Sequence, residues 1–116
     1  SNAIDLNTWD KKLHHGKILK PETYQLMTHY EITAQHDSFG KDKVGYGYGL
    51  RISDKSPVTY VGHSGKGLGF LSLKFYIPEK DVDVIVLQNH YDVDSKLHYY
   101  YESKIREIVI SSSLVN

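Results

Sequence analysis

Hydrophobic and polar positions along the chain repeat first at helical period, then at period two, then at helical period again. Leu6, Trp9 and Leu13 fall at i, i+3 and i+7, which predicts a helix over residues 5–15 with one apolar face. Asp5 or Asn7 stands where a cap is needed, and Gly16 follows as a stop. Residues 17–20 connect. Pro21 suits the first turn of a second helix, where its missing N–H costs nothing, and Glu22 favours the positive end of the dipole. Leu26, Met27 and Tyr30 supply the apolar side, and the pattern fades between Tyr30 and Thr33. Residues 34–43 are polar and glycine-punctuated, which predicts a loop.

Period two starts at Val44. Val44, Tyr46, Tyr48, Leu50 and Ile52 alternate with Gly45, Gly47, Gly49, Arg51 and Ser53, predicting one strand with a large face and a nearly bare one. Glycines weaken a strand, so a bare face predicts another element packed tightly against it. After a turn at residues 54–57, a second strand is expected over 58–62 and a third over 70–77. Residues 78–81 turn the chain into a fourth strand over 82–88. Val82, Val84 and Val86 lie on one of its faces, Ile85 and Leu87 on the other, the pattern of a strand in mid-sheet covered on both sides. Residues 89–94 turn again, with Asp92 or Asp94 placed to cap a last helix over 95–111. Leu97, Tyr100, Tyr101, Ile105, Ile108 and Val109 form its apolar stripe, and the last five residues are expected to fray. The fold class is α+β: an antiparallel four-stranded meander packed with a C-terminal helix and two short N-terminal helices.

Composition narrows the function classes. At 116 residues the chain is one domain or part of one. Fourteen basic and fourteen acidic residues give a formal net charge of zero, which argues against a general electrostatic grip on nucleic acid or an anionic membrane. There is no cysteine, hence no disulfide framework and no thiolate metal site. No apolar run approaches the ~20 residues that span a bilayer. Ser1-Asn2-Ala3 reads as the scar of a cleaved expression tag, leaving residues 4–116 as the domain.

The candidate chemistry sits in Gly62-His63-Ser64-Gly65-Lys66-Gly67-Leu68-Gly69-Phe70, which holds four of the nine glycines. Two readings fit: a tight loop at the mouth of a site, or a hairpin whose glycines serve only the turn. His63 and Ser64 are adjacent, and neighbours on a strand point to opposite faces. They therefore cannot form a nucleophile–base pair, which needs ~3 Å between the two groups. A strand edge offering one side chain and its backbone N–H groups is the better reading. His14, His15, His29, His36, His90 and His98 make neither an i, i+4 pair nor an H-E-x-x-H motif, so no metal site is indicated. The glycines do not form a phosphate loop. Tyr99-Tyr100-Tyr101 reads as a helix using tyrosine at its boundary with water.

Four segments, in order, resemble the C-terminal portion of the serine β-lactamase, penicillin-binding protein and esterase family, above all its class C β-lactamase and DD-peptidase branch. Trp9 to Leu19 followed by Pro21-Glu22-Thr23-Tyr24-Gln25-Leu26-Met27 resembles the family's G-x-L-L-(S/K)-P-E segment and a helix ending in methionine. Tyr46-Gly47-Tyr48-Gly49-Leu50 resembles Y-G-(Y/L)-G-W. Gly62-His63-Ser64-Gly65 with Gly69-Phe70 resembles G-H-(S/T)-G-x-x-x-G-F, and Val84-Ile85-Val86-Leu87-Gln88-Asn89 resembles the closing V-V-V-L-x-N strand. The resemblance implies a partial β-lactamase/transpeptidase-like fold. It also implies that His63, Ser64 and Gly65 stand for the family's third motif, K-T-G or H-(S/T)-G, on a strand lining the cleft. His63 and Ser64 would orient a substrate carboxylate or carbonyl, Gly65 would let substrate lie close, and the backbone N–H of Lys66 would supply half of an oxyanion hole.

The same resemblance marks what is missing. The family's nucleophile lies in an S-x-x-K motif and its second motif is Y-x-N or S-x-N. Ser38-Phe39-Gly40-Lys41 fits the first in letters but falls in a polar loop, and Tyr91-Asp92-Val93 does not fit the second. The expectation is a C-terminal fragment of a serine hydrolase acting on a β-lactam, a peptidoglycan stem peptide or an ester, itself inactive and needing no cofactor. The alternative is a non-catalytic binding or interaction module built on this fold. The family further implies a periplasmic or secreted parent, and a sheet edge exposed to self-association.

Overall fold

The computed structural model describes residues 1–33, 43–54, 57–90 and 94–116. Among these residues three α-helices and six strands follow in the order α1 (Ala3–His14), α2 (Pro21–Thr28), β1 (Ile32–Thr33), β2 (Gly45–Tyr46), β3 (Arg51–Ser53), β4 (Tyr60–Gly67), β5 (Phe70–Ile77), β6 (Val82–Gln88) and α3 (Ser95–Ser111). The strands form one antiparallel sheet in sequence order, β1-β2-β3-β4-β5-β6. The fold is α+β as expected, with six strands in the meander rather than four.

The two extra strands have local causes. Residues 44–53, read above as one strand, fold back on themselves. Gly49 takes φ 73°, which ends an extended run, and the Gly47 N–H donates to the Leu50 carbonyl at 2.8 Å. Gly45 pairs with Ile52 and Tyr46 with Arg51 across this hairpin. The bare face is packed as its glycines implied: a Cβ at Gly45 would overlap the Tyr30 ring, and one at Gly47 would lie 2.8 Å from the His29 carbonyl. The second helix stops at Thr28, so residues 32–33 are extended and become the outermost strand.

α1 starts earlier than its pattern suggested because Asn2, not Asp5 or Asn7, caps it: the Asn2 side chain accepts from the Asp5 N–H. Its end is a Schellman motif. Gly16 at φ 71° lets the Gly16 and Lys17 N–H groups reach the Leu13 and Lys12 carbonyls. Pro21 opens α2 and Asp94 caps α3, both as expected. The other expected cap, Asp92, lies outside the described residues, as do residues 34–42 of the expected loop and residues 55–56 and 91–93 of the expected turns.

The core lies between α3 and one face of the sheet. Val58, Tyr60, Leu73, Phe75, Ile77 and Val115 are buried there, with Val82, Val84 and Val86 of β6 and Ile105, Val109 and Ile110 of α3 packed on them. Phe75 and Ile77 are 0% exposed, and burying a side chain of this size contributes roughly 1.5–3 kcal/mol. The C-terminus is held, not frayed: Val115 enters this core and the Asn116 side chain donates to the Ile110 carbonyl at 2.7 Å. Leu97, Tyr100, Tyr101 and Ile108 stay exposed, so only the middle and end of the expected α3 stripe pack.

The opposite face carries Ile52, Val61 and Tyr76, with Tyr30 against them, and α1 lies over the β5–β6 end. Here the expected apolar faces pack only in part: Leu13 is buried, and Leu6, Met27 and Tyr30 are half-buried. Trp9 is exposed and so is Leu26 of α2, while Asp10 is fully buried. Asp10 forms an ion pair with Lys74 of β5, and the Asn7 side chain donates to Asp83 of β6 at 2.9 Å. Among the described residues β6 is an edge of the sheet rather than its middle, since there only β5 pairs with it.

Candidate functional site

The glycine-rich stretch is a strand, not a loop. Residues 62–67 continue β4, and only Leu68 and Gly69 make the turn, with Gly69 at φ 82° and Gly67 paired to Phe70. Gly62 is bare because its strand partner comes close: a Cβ there would overlap the Lys74 carbonyl and stand 2.6 Å from Phe75 Cα. A Cβ at Gly65 would meet Ser72 Oγ at 2.6 Å, so a neighbouring hydroxyl, within the chain, already fills the space beside this glycine.

β4 is covered unequally on its two edges. β5 pairs with it from Val61 to Gly67, whereas β3 pairs only with Tyr60, Val61 and Gly62. From His63 onward the edge away from β5 is not part of a ladder among the described residues. A two-residue hairpin closes on a hydrogen-bonded pair, so the main-chain groups of Gly67, Gly65 and His63 face β5. Those of Lys66, Ser64 and Gly62 alternate to the other side. At Gly62 they meet β3; at Ser64 and Lys66 they face the uncovered edge.

The side chains of the motif are tied to the β2–β3 hairpin. His63 Nδ1 lies 2.5 Å from its neighbour's carbonyl, Ser64 O, and Nε2 lies 3.2 Å from Tyr46 Oη. A carbonyl can only accept, so Nδ1 carries the hydrogen, and in the neutral ring Nε2 accepts from the Tyr46 hydroxyl. Ser64 points to the other face, and its Oγ accepts from Arg51 Nη1 at 2.8 Å. The structure thus does not bring His63 to Ser64 Oγ. It gives each a separate partner, Tyr46 and Arg51. Tyr46 opens the Y-G-Y-G-L segment and Arg51 is the one charge in the alternating glycine stretch, but nothing in the sequence marked either as a partner of His63 or Ser64. Gly65 and Lys66 line an open cavity of about 550 Å³ with Gly67, Phe70, Ser72 and Leu87, at the turn end of β4 and β5.

Lys74 links this site to α1. It is the cross-strand partner of His63 and the ion-pair partner of buried Asp10. Around that pair the electrostatics are displaced from ordinary values. Burial, opposed by the Asn7 hydrogen bond and reinforced by Asp10, raises Asp83 to about 6. Burial pushes His14 down to about 4, with its ring stacked on Tyr76 at 4.0 Å and its Nδ1 2.7 Å from Tyr24 Oη. Hydrogen bonds from His15 and Tyr76 hold Asp81 below its usual value.

A family model described as Beta-lactamase matches residues 1–105. Among solved structures the chain is similar to the octameric penicillin-binding protein homologue from Pyrococcus abyssi, with 31% identity, a TM-score of 0.68, and coverage of 90% of this chain and 24% of that one. It is similar in fold to the D-amino acid amidase from Ochrobactrum anthropi SV3 complexed with D-phenylalanine, with 20% identity, a TM-score of 0.68, and coverage of 90% and 35%. The chain spans only that minor part, 24% and 35%, of the structures it matches. No curated protein matches it.

Proposed function

Since the chain belongs to the Beta-lactamase family, we propose that it forms one wall of an acyl-transfer site in a serine hydrolase whose nucleophile lies outside these residues. The observation that carries this reading is the half-covered β4. Past Gly62, the edge that no strand pairs with among the described residues carries the main-chain groups of Ser64 and Lys66. When a serine elsewhere in the parent attacks an acyl carbonyl, the carbonyl oxygen gains charge. The Lys66 N–H is placed to donate to that oxygen, with the nucleophile's own N–H as the second donor. The leaving group departs, and water then cleaves the acyl-serine. His63 orients rather than abstracts a proton, because Nδ1–H is committed to Ser64 O and Nε2 to Tyr46. Ser64 presents its hydroxyl to substrate and is not the nucleophile, because among the described residues no base lies on its Oγ and its partner, Arg51, is a cation. A β-lactam, a peptidoglycan-type peptide or an ester fits this chemistry, in a periplasmic or secreted parent.

A second reading, an interaction module without catalysis, draws on β6. This edge strand bears apolar side chains on both faces, and Leu87 is 42% exposed. Self-association through β6 is consistent with the octameric assembly of the Pyrococcus homologue. The two readings separate in a labelling experiment. Incubated with a fluorescent penicillin, the 116-residue chain should show no covalent adduct by mass spectrometry, whereas the full-length parent should be acylated. A stoichiometric adduct on Ser64 would overturn the wall reading, and an unreactive parent would favour the module.

A further inference from the structure

We infer that Asp10 and Asp83 form a proton-binding site beneath α1, in which the two carboxyls share one hydrogen and that hydrogen ties the helix to the sheet. The site lies apart from the β4 edge and stands whether or not the wall reading does. Asn7, Asp10 and His14 fall at i, i+3 and i+7 on α1, and all three reach the sheet. On the sheet, Tyr76 and Asp83 are cross-strand partners, and Lys74 lies two residues before Tyr76 on the same face. The contact therefore sets two acids against one lysine.

Asp10 is 0% exposed. Lys74 is the ion-pair partner of its Oδ1, and its Oδ2 has no hydrogen-bond partner among the described residues. Asp83 lies within hydrogen-bonding reach of Asp10. Asp83 Oδ2 accepts from the Asn7 side chain at 2.9 Å, whereas Oδ1 is buried without a partner. Ionised carboxylates only accept, so two of them cannot hydrogen-bond one another, and burial penalises both charges. One hydrogen on Asp83 Oδ1 removes the conflict. It donates to Asp10, leaves a single anion for Lys74, and makes the three groups neutral together. The other titratable groups nearby are engaged elsewhere or lie outside the contact. His15 of α1 and Tyr76 of β5 both bond to Asp81, and His14 bonds to Tyr24 of α2. Lys11 of α1 borders the open cavity of about 260 Å³ beside Asp83. His63 of β4, opposite Lys74, is turned to Tyr46. Burial first, then the neighbouring Asp10, raises Asp83 to about 6, against the Asn7 bond and Lys74. Above that pH the three groups carry a net negative charge and the tie to α1 weakens; His14, whose linkage has the opposite sign, masks the loss in the wild type.

The test follows the carboxyl carbons of Asp10 and Asp83 by carbon NMR as the 116-residue chain is titrated. Both should move together through the step near pH 6, and both should shift when water is replaced by heavy water, the signature of a shared hydrogen. Asp10→Asn removes the second acid, so Asp83 should then hold its proton about tenfold less tightly. In His14→Gln the opposing group is gone. There, protection of the α1 amides against hydrogen exchange, corrected for the intrinsic rate, should fall about tenfold between about pH 5 and about pH 7. An Asp10 signal that stays still while Asp83 titrates would overturn the shared hydrogen, and this is read on the wild type, without any variant having to fold. A folded Asp10→Asn protein in which Asp83 titrates as before would overturn it too. Level protection across that range in a folded His14→Gln protein would overturn the tie to α1.

Discussion

The two faces of the sheet are held by different physics. Beneath α3 the contact is mainly hydrocarbon: Phe75 and Ile77 sealed by valines of β6 and isoleucines of α3, with a polar tie from Arg106 to the Tyr60 hydroxyl at 3.0 Å. Beneath α1, where Leu13 is also buried, polar contacts predominate: Asp10 with Lys74, Asn7 with Asp83, and His14 stacked on Tyr76. Apolar packing is non-directional and tolerant, whereas a buried ion pair is favourable only while both partners are present. The face that holds α3 supplies stability. The face that holds α1 places a charge network beside His63, through Lys74 on the adjacent strand.

The comparison breaks most sharply at Phe75. Phe75→Ala removes a ring with no exposure and should cost about 3–5 kcal/mol, read as a large drop in the denaturant midpoint with the slope unchanged. A loss under ~1 kcal/mol would mean that the α3 face is not the core. On the α1 face, Lys74→Met should cost about 3 kcal/mol because it strands a fully buried Asp10; the Lys74 side chain is itself 27% exposed. Adding Asp10→Leu to that variant should recover most of the loss, and a double mutant no better than the single would contradict the ion-pair account.

A subtler difference is the response to pH. Asp83 titrates at about 6 in the folded chain against 3.8 ordinarily, so the folded state holds its proton more tightly. Its contribution to stability is present at low pH and is lost as pH rises through about 6. His14 behaves oppositely. At about 4 against 6.5, its proton is held more tightly by the unfolded chain, so its contribution grows as pH rises from about 4 to 6.5. Across that window the two offset each other, and wild-type stability should be nearly level. Denaturant titrations at several pH values should show stability falling with rising pH in His14→Gln and rising in Asp83→Asn. Parallel profiles in the two variants would contradict the opposed roles given to Asp83 and His14.

The apolar half of the molecule was legible because hydrophobic period maps directly onto packing. The β4–β5–β6 meander, α3 with its Asp94 cap, and Pro21 at the start of α2 all follow from pattern and turn chemistry. The polar half was not. A buried Asp10 beside an exposed Trp9 inverts what hydrophobicity alone assigns to α1, because the ion pair with Lys74 comes from a residue 64 positions away in sequence, 74 − 10. The break at residues 47–50 was hidden for a related reason: the alternation of large residues and glycines fits a strand, and only the positive φ of Gly49 shows the chain turning back. In the candidate site, the sequence singles out His63 and Ser64, but their partners Tyr46 and Arg51 depend on how the β2–β3 hairpin lies against β4.

The central claim is that β4 passes from a paired strand to an uncovered edge at His63, and native-state hydrogen exchange tests it most directly. The Gly65 amide faces β5 and should be protected. The Ser64 amide faces the side β3 does not reach and should exchange at least about tenfold faster. Equal protection of the two amides would show that edge to be occupied within the chain itself, and would contradict its assignment as the wall of a site.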